Sequence, residues 1–89
     1  MIKEITVRIY LCDYIEKEKT LASRHLVSSI GICRDKETRV FNESELPKDL
    51  LRVLKLRGEV EVYDKELCMN LFNIALVGNQ YLKLKIEEQ

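Results

Sequence analysis

The spacing of apolar residues predicts a strand followed by a helix at the start of the chain. Apolar residues alternate with polar or aromatic ones over residues 5–12, with the two-residue period of a strand that buries one face. Asp13 and Glu16 then have the spacing of a helix capping box. The helical stripe behind them consists of Ile15, Ala22, Leu26 and Ile30, with Leu21 beside it. Gly31 is a typical stop for such a helix, and residues 5–31 therefore predict a βα unit.

The rest of the chain predicts three more strands and two more helices. Strands are predicted at residues 38–41, 59–63 and 81–86. A helix over residues 46–57 has Pro47 near its start and Gly58 just beyond its end. Asp64 is the expected N-cap of the last helix. The inward face of that helix consists of Leu67, Leu71, Ile74 and Ala75.

This βαβαβαβ order predicts one domain over residues 1–89 in the α/β class. Strands separated by helices favour a small, mostly parallel four-stranded sheet with three helices. The strands alternate rather than forming continuous apolar runs, which indicates that one sheet face is open or covered by a partner subunit. An alternative stays open at residues 30–42. A hairpin pairing 30–34 with 38–42 would favour a ferredoxin-like α+β sandwich.

Composition narrows the class of protein without indicating its activity. The chain has 89 residues, of which 46% are hydrophobic and 34% charged, a balance that is too apolar for disorder. Apolar stretches are broken within a few residues, and the N-terminus, which carries Glu4 directly after Lys3, does not resemble a signal peptide, so we predict a cytoplasmic protein without a membrane span. Fifteen basic and fifteen acidic residues cancel, which argues against nucleic acid as a partner. The abundance of Lys, Glu and Ile favours a thermophilic source.

The cysteines are the main candidates for chemistry. Cys12, Cys33 and Cys68 have neither the pairing of a disulfide framework nor the spacing of a zinc site, so reduced thiols are expected. Cys68 lies near a predicted helix N-terminus, where a thiolate is favoured, although the role of a small apolar side chain beside Phe72 explains it more simply. Cys12 ends the first predicted strand. Both are candidate catalytic thiols, and neither a metal nor an organic cofactor is expected.

Several short motifs resemble the DsrE-like family of small sulfur-relay proteins. They are the first predicted helix with its Gly31, RVFN at 39–42, DLLRVL at 49–54, RGEVEVY at 57–63 and KELCM at 65–69. The resemblance covers residues 17–74 and implies a parallel α/β fold and a sulfur-carrier or an accessory subunit of such a system. Lys65 occupies the position of the family's sulfur-carrying cysteine, with Cys68 three residues further on. The relay chemistry therefore does not transfer automatically.

Tyrosines on the polar face of the predicted strands suggest two further functions. Tyr10, Tyr63 and Tyr81, together with Arg8, Lys83 and Lys85, are residue types that stack and contact single-stranded RNA. Glu59 and Glu61 on the neighbouring strand would repel phosphate. A charged face with tyrosines is also typical of a subunit interface. We therefore carry three hypotheses: a DsrE-like sulfur-carrier or assembly subunit, a non-enzymatic protein-interaction or regulatory module in a homo-oligomer or with another protein, and an RNA-binding domain.

Overall fold

The computed structural model describes residues 3–21 and 24–87, and the side chains of residues 3–15 and 30–87. In this part of the chain the elements are β1 (Glu4–Leu21), β2 (Arg24–Asn42), a 3-10 turn (Glu43–Glu45), α1 (Lys48–Arg57), β3 (Glu59–Val62), α2 (Lys65–Phe72) and β4 (Gln80–Ile86). The strands form one sheet in the order β2-β1-β4-β3. Every neighbouring pair is antiparallel. The prediction of a mostly parallel sheet with three helices is therefore wrong.

The error lies in the first predicted helix, which is replaced by the paired halves of a long hairpin. Residues 13–21 continue β1, and residues 24–30 begin β2. Ala22, a member of the predicted stripe, lies outside the described residues. The stretch VSSIGI at 27–32 is rich in β-branched residues, serine and glycine, all weaker helix formers than alanine or leucine. Ile30 and Ile32 are also two residues apart, the spacing of a strand, although Ile30 is counted in the helical stripe.

The alternative hairpin within residues 30–42 is also wrong. These residues form one continuous strand, and its partner β1 runs from Glu4 opposite Asn42 to Leu21 opposite Arg24. Because the first two strands follow one another without a helix between them, the ferredoxin-like order is not formed either. The ladder has one irregularity, since Ile9 pairs with Glu37 but Tyr10 pairs with Asp35. Lys36 is therefore an extra residue in β2, which makes this position a β-bulge.

The second half of the chain forms the predicted elements. Gly58 ends α1 with a φ of 79°, a left-handed conformation that glycine adopts without steric cost. The Asp64 side chain caps α2 by accepting hydrogen bonds from the backbone N–H groups of Glu66 and Leu67, at 3.0 and 3.1 Å. The helix ends at Phe72, earlier than predicted, because Asn73 adopts a left-handed conformation and closes it. Ile74 is therefore buried from a loop rather than from a helix.

One face of the sheet carries the core. The buried residues come from alternate positions of the strands and from the helices and loops; the largest fully buried ones are Phe72, Ile9, Leu54, Leu82, Leu84 and Val7. The rings of Phe41 on β2 and Phe72 on α2 meet edge to face at 5.5 Å between centroids. Described residues of β1 and β4 therefore alternate between this core-side face and an opposite, outer face.

The β1–β2 hairpin extends beyond the rest of the sheet. The last residue of β1 that pairs with β4 is Asp13, opposite Gln80. Beyond it, residues 14–21 of β1 have a ladder partner on one side only, residues 24–31 of β2. We call this two-stranded segment the arm. It makes the molecule elongated, with extents of 61 × 25 × 22 Å. Among the described residues, no helix has the length and apolar character needed to cross a membrane.

Candidate interaction site at the base of the arm

A disulfide joins the two strands where the arm leaves the sheet. Cys12 and Cys33 are directly opposite one another in β1 and β2, with 4.0 Å between their Cα atoms, and their sulfur atoms are bonded. Cross-strand neighbours are the closest positions in a sheet, so two cysteines in this register are well placed to react. The sequence prediction of reduced thiols does not describe this pair. The prediction of reduced thiols failed because Cys12 and Cys33 are opposite one another only in the β1–β2 hairpin, and a helix was predicted in place of part of that hairpin.

Tyr81 fits against the base of the arm through Gly31. Tyr81 lies opposite Cys12 on the β4 side of β1, and its side chain is only 5% exposed. Its Oη would lie 2.0 Å from a Cβ atom placed on Gly31. The hydroxyl group therefore occupies the space that any larger residue at position 31 would need. Gly31, predicted as a helix stop, instead allows this close contact between β2 and an aromatic side chain of β4.

A cluster of tyrosines continues from this contact to an open cavity. The Tyr63 ring stacks on Tyr81 at 4.8 Å between centroids, and its hydroxyl group donates a 3.0 Å hydrogen bond to Glu61. Desolvation, together with that hydrogen bond, raises the pKa of Tyr63 to about 12. The cavity has a volume of about 460 Å³ and is lined by Tyr14, Tyr63, Lys65, Gly78, Asn79 and Gln80. Burial raises the pKa of Tyr81 as well.

The outer edge of β2 is a further feature at the base of the arm. β2 is the terminal strand of the sheet, so its second edge has no ladder partner in the part of the chain that the structure describes. Ile30, Ile32 and Val40 on this strand are 46%, 52% and 55% exposed. Between them lie four consecutive charged residues, Arg34, Asp35, Lys36 and Glu37.

The charged residues of this edge make intramolecular contacts across the surface. Arg34 reaches Asp13 at 3.5 Å, and Arg8 reaches Asp35 at 3.8 Å. Glu37 accepts a hydrogen bond from Arg39. Exposed pairs of this kind contribute little to stability, since water screens them. Because these ion pairs lie on the surface, the charged side chains of residues 34–37 remain accessible to a second chain.

Cys68 is the third cysteine, and the structure places it far from a reactive position. It is fully buried in the core on α2, where its Sγ lies 3.9 Å from the carbonyl oxygen of Val62. Desolvation raises the pKa of its thiol from 9.0 to about 11, with a further contribution from the nearby Asp64 carboxylate. The proximity of the helix N-terminus does not offset that burial. The fold does not bring the two candidate thiols together. Cys68 belongs to the hydrophobic core cluster, whereas Cys12 is bonded to Cys33 on the neighbouring strand.

The tyrosines that suggested RNA binding do not form one stacking surface. Tyr81 is buried, and Tyr63 covers it with its own ring. Tyr10 contacts the Lys85 ammonium group at 5.8 Å from the ring centroid. Lys83 is paired with Glu59 at 3.5 Å, as expected for opposite charges on neighbouring strands. No group of three or more metal-ligating side chains occurs among the described residues.

The features that make this region a candidate site are not predicted from the local sequence pattern. Gly31 is predicted as a helix stop and Cys33 as an unpaired thiol, although the alternation of Ile30 and Ile32 around Gly31 is a usable signal for a strand. Comparison with models of protein families, with curated proteins and with solved structures finds no match to this chain. The assignment of function therefore depends on the geometry described above.

Proposed function

We propose that this chain is a non-enzymatic protein-association module that binds the strand of another polypeptide along the outer edge of β2. The observation that carries the proposal is the length of that edge. β2 has 19 residues and is the terminal strand of the sheet, with exposed apolar side chains on both sides of its charged centre. Strand addition to such an edge uses backbone hydrogen bonds for affinity and alternate side chains for specificity.

The charged centre of β2, residues 34–37, supports selective binding of a partner strand. Charged residues and a β-bulge are common devices that prevent an edge strand from pairing with any chain it meets. Here the bulge and the run of four consecutive charged residues occupy residues 34–37, while residues 30–33 and 38–42, which include Arg39, keep the backbone of an ordinary strand. A partner strand with the complementary charges at the centre would pair with both flanks. The edge therefore discriminates between partners by their charge pattern.

The sulfur-carrier hypothesis from the DsrE-like resemblance stays a prediction that the thiol positions do not support. A carrier needs an accessible thiolate. Cys68 is buried with a raised pKa, and Cys12 is in a disulfide. We expect a persulfide donor to leave Cys68 unmodified in the native protein, as checked by intact and peptide mass spectrometry. A reversible sulfur adduct on Cys68 would favour the sulfur-carrier hypothesis over strand binding. An accessory role in assembly, the other part of that hypothesis, agrees with the proposal.

A displayed library of random extended peptides tests whether the β2 edge accepts a strand. The immobilised protein should select peptides, and hydrogen–deuterium exchange should show added protection of amides in residues 30–42 when a selected peptide is bound. Val40→Lys, at an exposed position of that edge, should weaken binding. Leu56→Lys is the matched control, because Leu56 is exposed on α1 and remote from the edge.

Two results would remove this function. One is selection of peptides whose protection maps to the tyrosine-lined cavity rather than to β2, which would indicate a side-chain pocket. The other is failure to select any peptide combined with salt-dependent binding of a single-stranded RNA oligonucleotide that Tyr10→Ala abolishes, which would favour the RNA-binding hypothesis.

A further inference from the structure

We infer that the strand accepted by β2 is β2 of a second copy of this chain, paired antiparallel about a twofold axis between Asp35 and Lys36. This inference rests on the proposed function, since it names the partner of the same edge. Three independent properties of the strand support this one register: its charge order, the position of its bulge and the placement of its exposed apolar side chains.

The charge order of the centre is complementary to itself when the strand is reversed. The sequence is Arg34-Asp35-Lys36-Glu37. In the proposed register Arg34 lies opposite the partner's Glu37, and Asp35 lies opposite the partner's Lys36. Twofold symmetry repeats both contacts, so all four charges of each strand meet an opposite charge. Opposite charges directly across a ladder are stabilising, and like charges are destabilising. Moving the axis one residue towards the C-terminus instead places Arg34 opposite the partner's Arg39.

The bulge makes this register compatible with the two faces of the sheet. In a regular strand, adjacent residues point to opposite faces, so a twofold axis between two adjacent residues would pair side chains from opposite faces. Lys36 is an extra residue in β2, and it reverses the alternation beyond it. Residues 37, 39 and 41 therefore share the core-side face with residues 34, 32 and 30. With the axis at the bulge, every pair outside the centre has both side chains on the same face.

Within residues 30–42 of β2, whose side chains the structure describes, the large exposed apolar residues all fall within this interface. Ile30 lies opposite the partner's Phe41 on the core-side face, where Phe41 is itself buried at the margin of the core. Val40 lies opposite the partner's Gly31 on the outer face, where the Tyr81 hydroxyl group fills the space of the missing side chain. Ile32 lies opposite the partner's Arg39, whose stem supplies apolar contact. Two four-stranded sheets would join into one, and each arm base would lie along the body of the other copy.

The proposal is tested by two charge reversals that are complementary to each other. Arg34→Glu and Glu37→Arg each place like charges across the axis twice, so we expect each to raise the dimer dissociation constant by about 10- to 100-fold. When the two variants are mixed, the carboxylate introduced at position 34 of one chain meets the guanidinium introduced at position 37 of the other. The second contact then joins the unchanged Arg34 and Glu37, so the mixture should form a heterodimer. Sedimentation velocity over a concentration series, with one variant carrying a mass tag, measures all three states.

The double variant Arg34→Glu/Glu37→Arg separates the interface from effects within one chain. Within the chain it is unfavourable, because position 34 then faces Asp13 and position 37 faces Arg39. Across the proposed axis it restores both attractive pairs, so recovery of the dimer is expected despite the intramolecular cost. Arg52→Glu, at an exposed position on α1, is the control and should leave the dimer unchanged. Circular dichroism confirms that each variant is folded.

The outcomes distinguish the partner from the function. A natural chain that is monomeric throughout, or a dimer that neither reversal weakens, overturns the self-pairing register. If the chain is monomeric but selected peptides protect residues 30–42, strand addition stands and the partner is another protein. If the reversals dissociate the dimer but mixing and the double variant fail to restore it, the charges act within one chain and the proposed register is wrong.

Discussion

Replacing Gly31 by alanine should destabilise the protein, although the same change in a free strand would stabilise it. The backbone at Gly31 lies outside the left-handed region, so alanine has no conformational penalty there. Its Cβ atom would nevertheless lie 2.0 Å from the Tyr81 Oη and 3.2 Å from Cζ. Tyr81 is 5% exposed and stacked on Tyr63, so its ring is not free to move away.

The magnitude follows from two opposing effects. Forcing an extra carbon into a packed site costs about 1–3 kcal/mol. Replacing glycine by alanine where the backbone permits it stabilises by about 0.4–1 kcal/mol, because the unfolded chain loses freedom. Tyr81→Phe removes the atom at 2.0 Å, and the next atom at 3.2 Å requires a shift of only a few tenths of an ångström. In the Tyr81→Phe background the alanine should therefore be neutral or stabilising.

A double-mutant cycle measures this sign reversal. Free energies of unfolding for the natural chain, Gly31→Ala, Tyr81→Phe and the double variant come from urea titrations followed by circular dichroism, without reductant. We expect Gly31→Ala alone to lose about 1–3 kcal/mol and the pair to show a coupling of at least about 1 kcal/mol. Equal losses from Gly31→Ala in both backgrounds would show that the Tyr81 hydroxyl group is not what excludes a side chain.

Three further predictions concern stability and thiol chemistry. Reducing the Cys12–Cys33 bond, which spans a sequence separation of 21, should lower the free energy of unfolding by about 3 kcal/mol, measured by urea titration with and without dithiothreitol. Asp64→Ala should cost about 1 kcal/mol in the same titration, and Asp64→Ser should recover most of it, because serine also caps helices. Since burial raises the pKa of Cys68 from 9.0 to about 11, the unfolded thiol ionises first, and stability should fall as the pH rises through that window. Cys68→Val should show a smaller loss across the same window.

Local signals in the second half of the chain were sufficient to predict its elements, whereas those in the first half were misleading. Asp64 and Gly58 act through contacts within a few residues, so their effect is visible in the sequence. The stripe containing Leu26 has helical spacing by coincidence, because Leu26 pairs with Lys19 of β1 in the ladder of the hairpin. Once two long segments pair, the ladder of backbone hydrogen bonds outweighs a single capping box.

The candidate site was less predictable than the fold, because each of its contacts joins distant positions. The disulfide partner of Cys33 is residue 12, which only the ladder of β1 and β2 places opposite it. The need for glycine at position 31 comes from Tyr81, which lies on β4. The antiparallel direction of the strands also depends on contacts between distant positions and was therefore not predicted. Strands separated by helices favour parallel crossovers, but here α2 and a loop that buries Ile74 and Leu76 lie between β3 and β4, and the two strands still pair antiparallel. Loop length alone did not determine the pairing direction.

The position of β1 inside the sheet determines the order in which the protein can be completed during synthesis. Val7 pairs with Ile86, so the strand made near the beginning of the chain receives its second neighbour only when nearly all of the described residues have been made. Until then the nascent β1–β2 hairpin has two open edges, and its apolar face lacks the helices that cover it. Contacts of such large sequence separation slow folding. Until β4 is made, the second edge of β1 is therefore open to pairing with other chains.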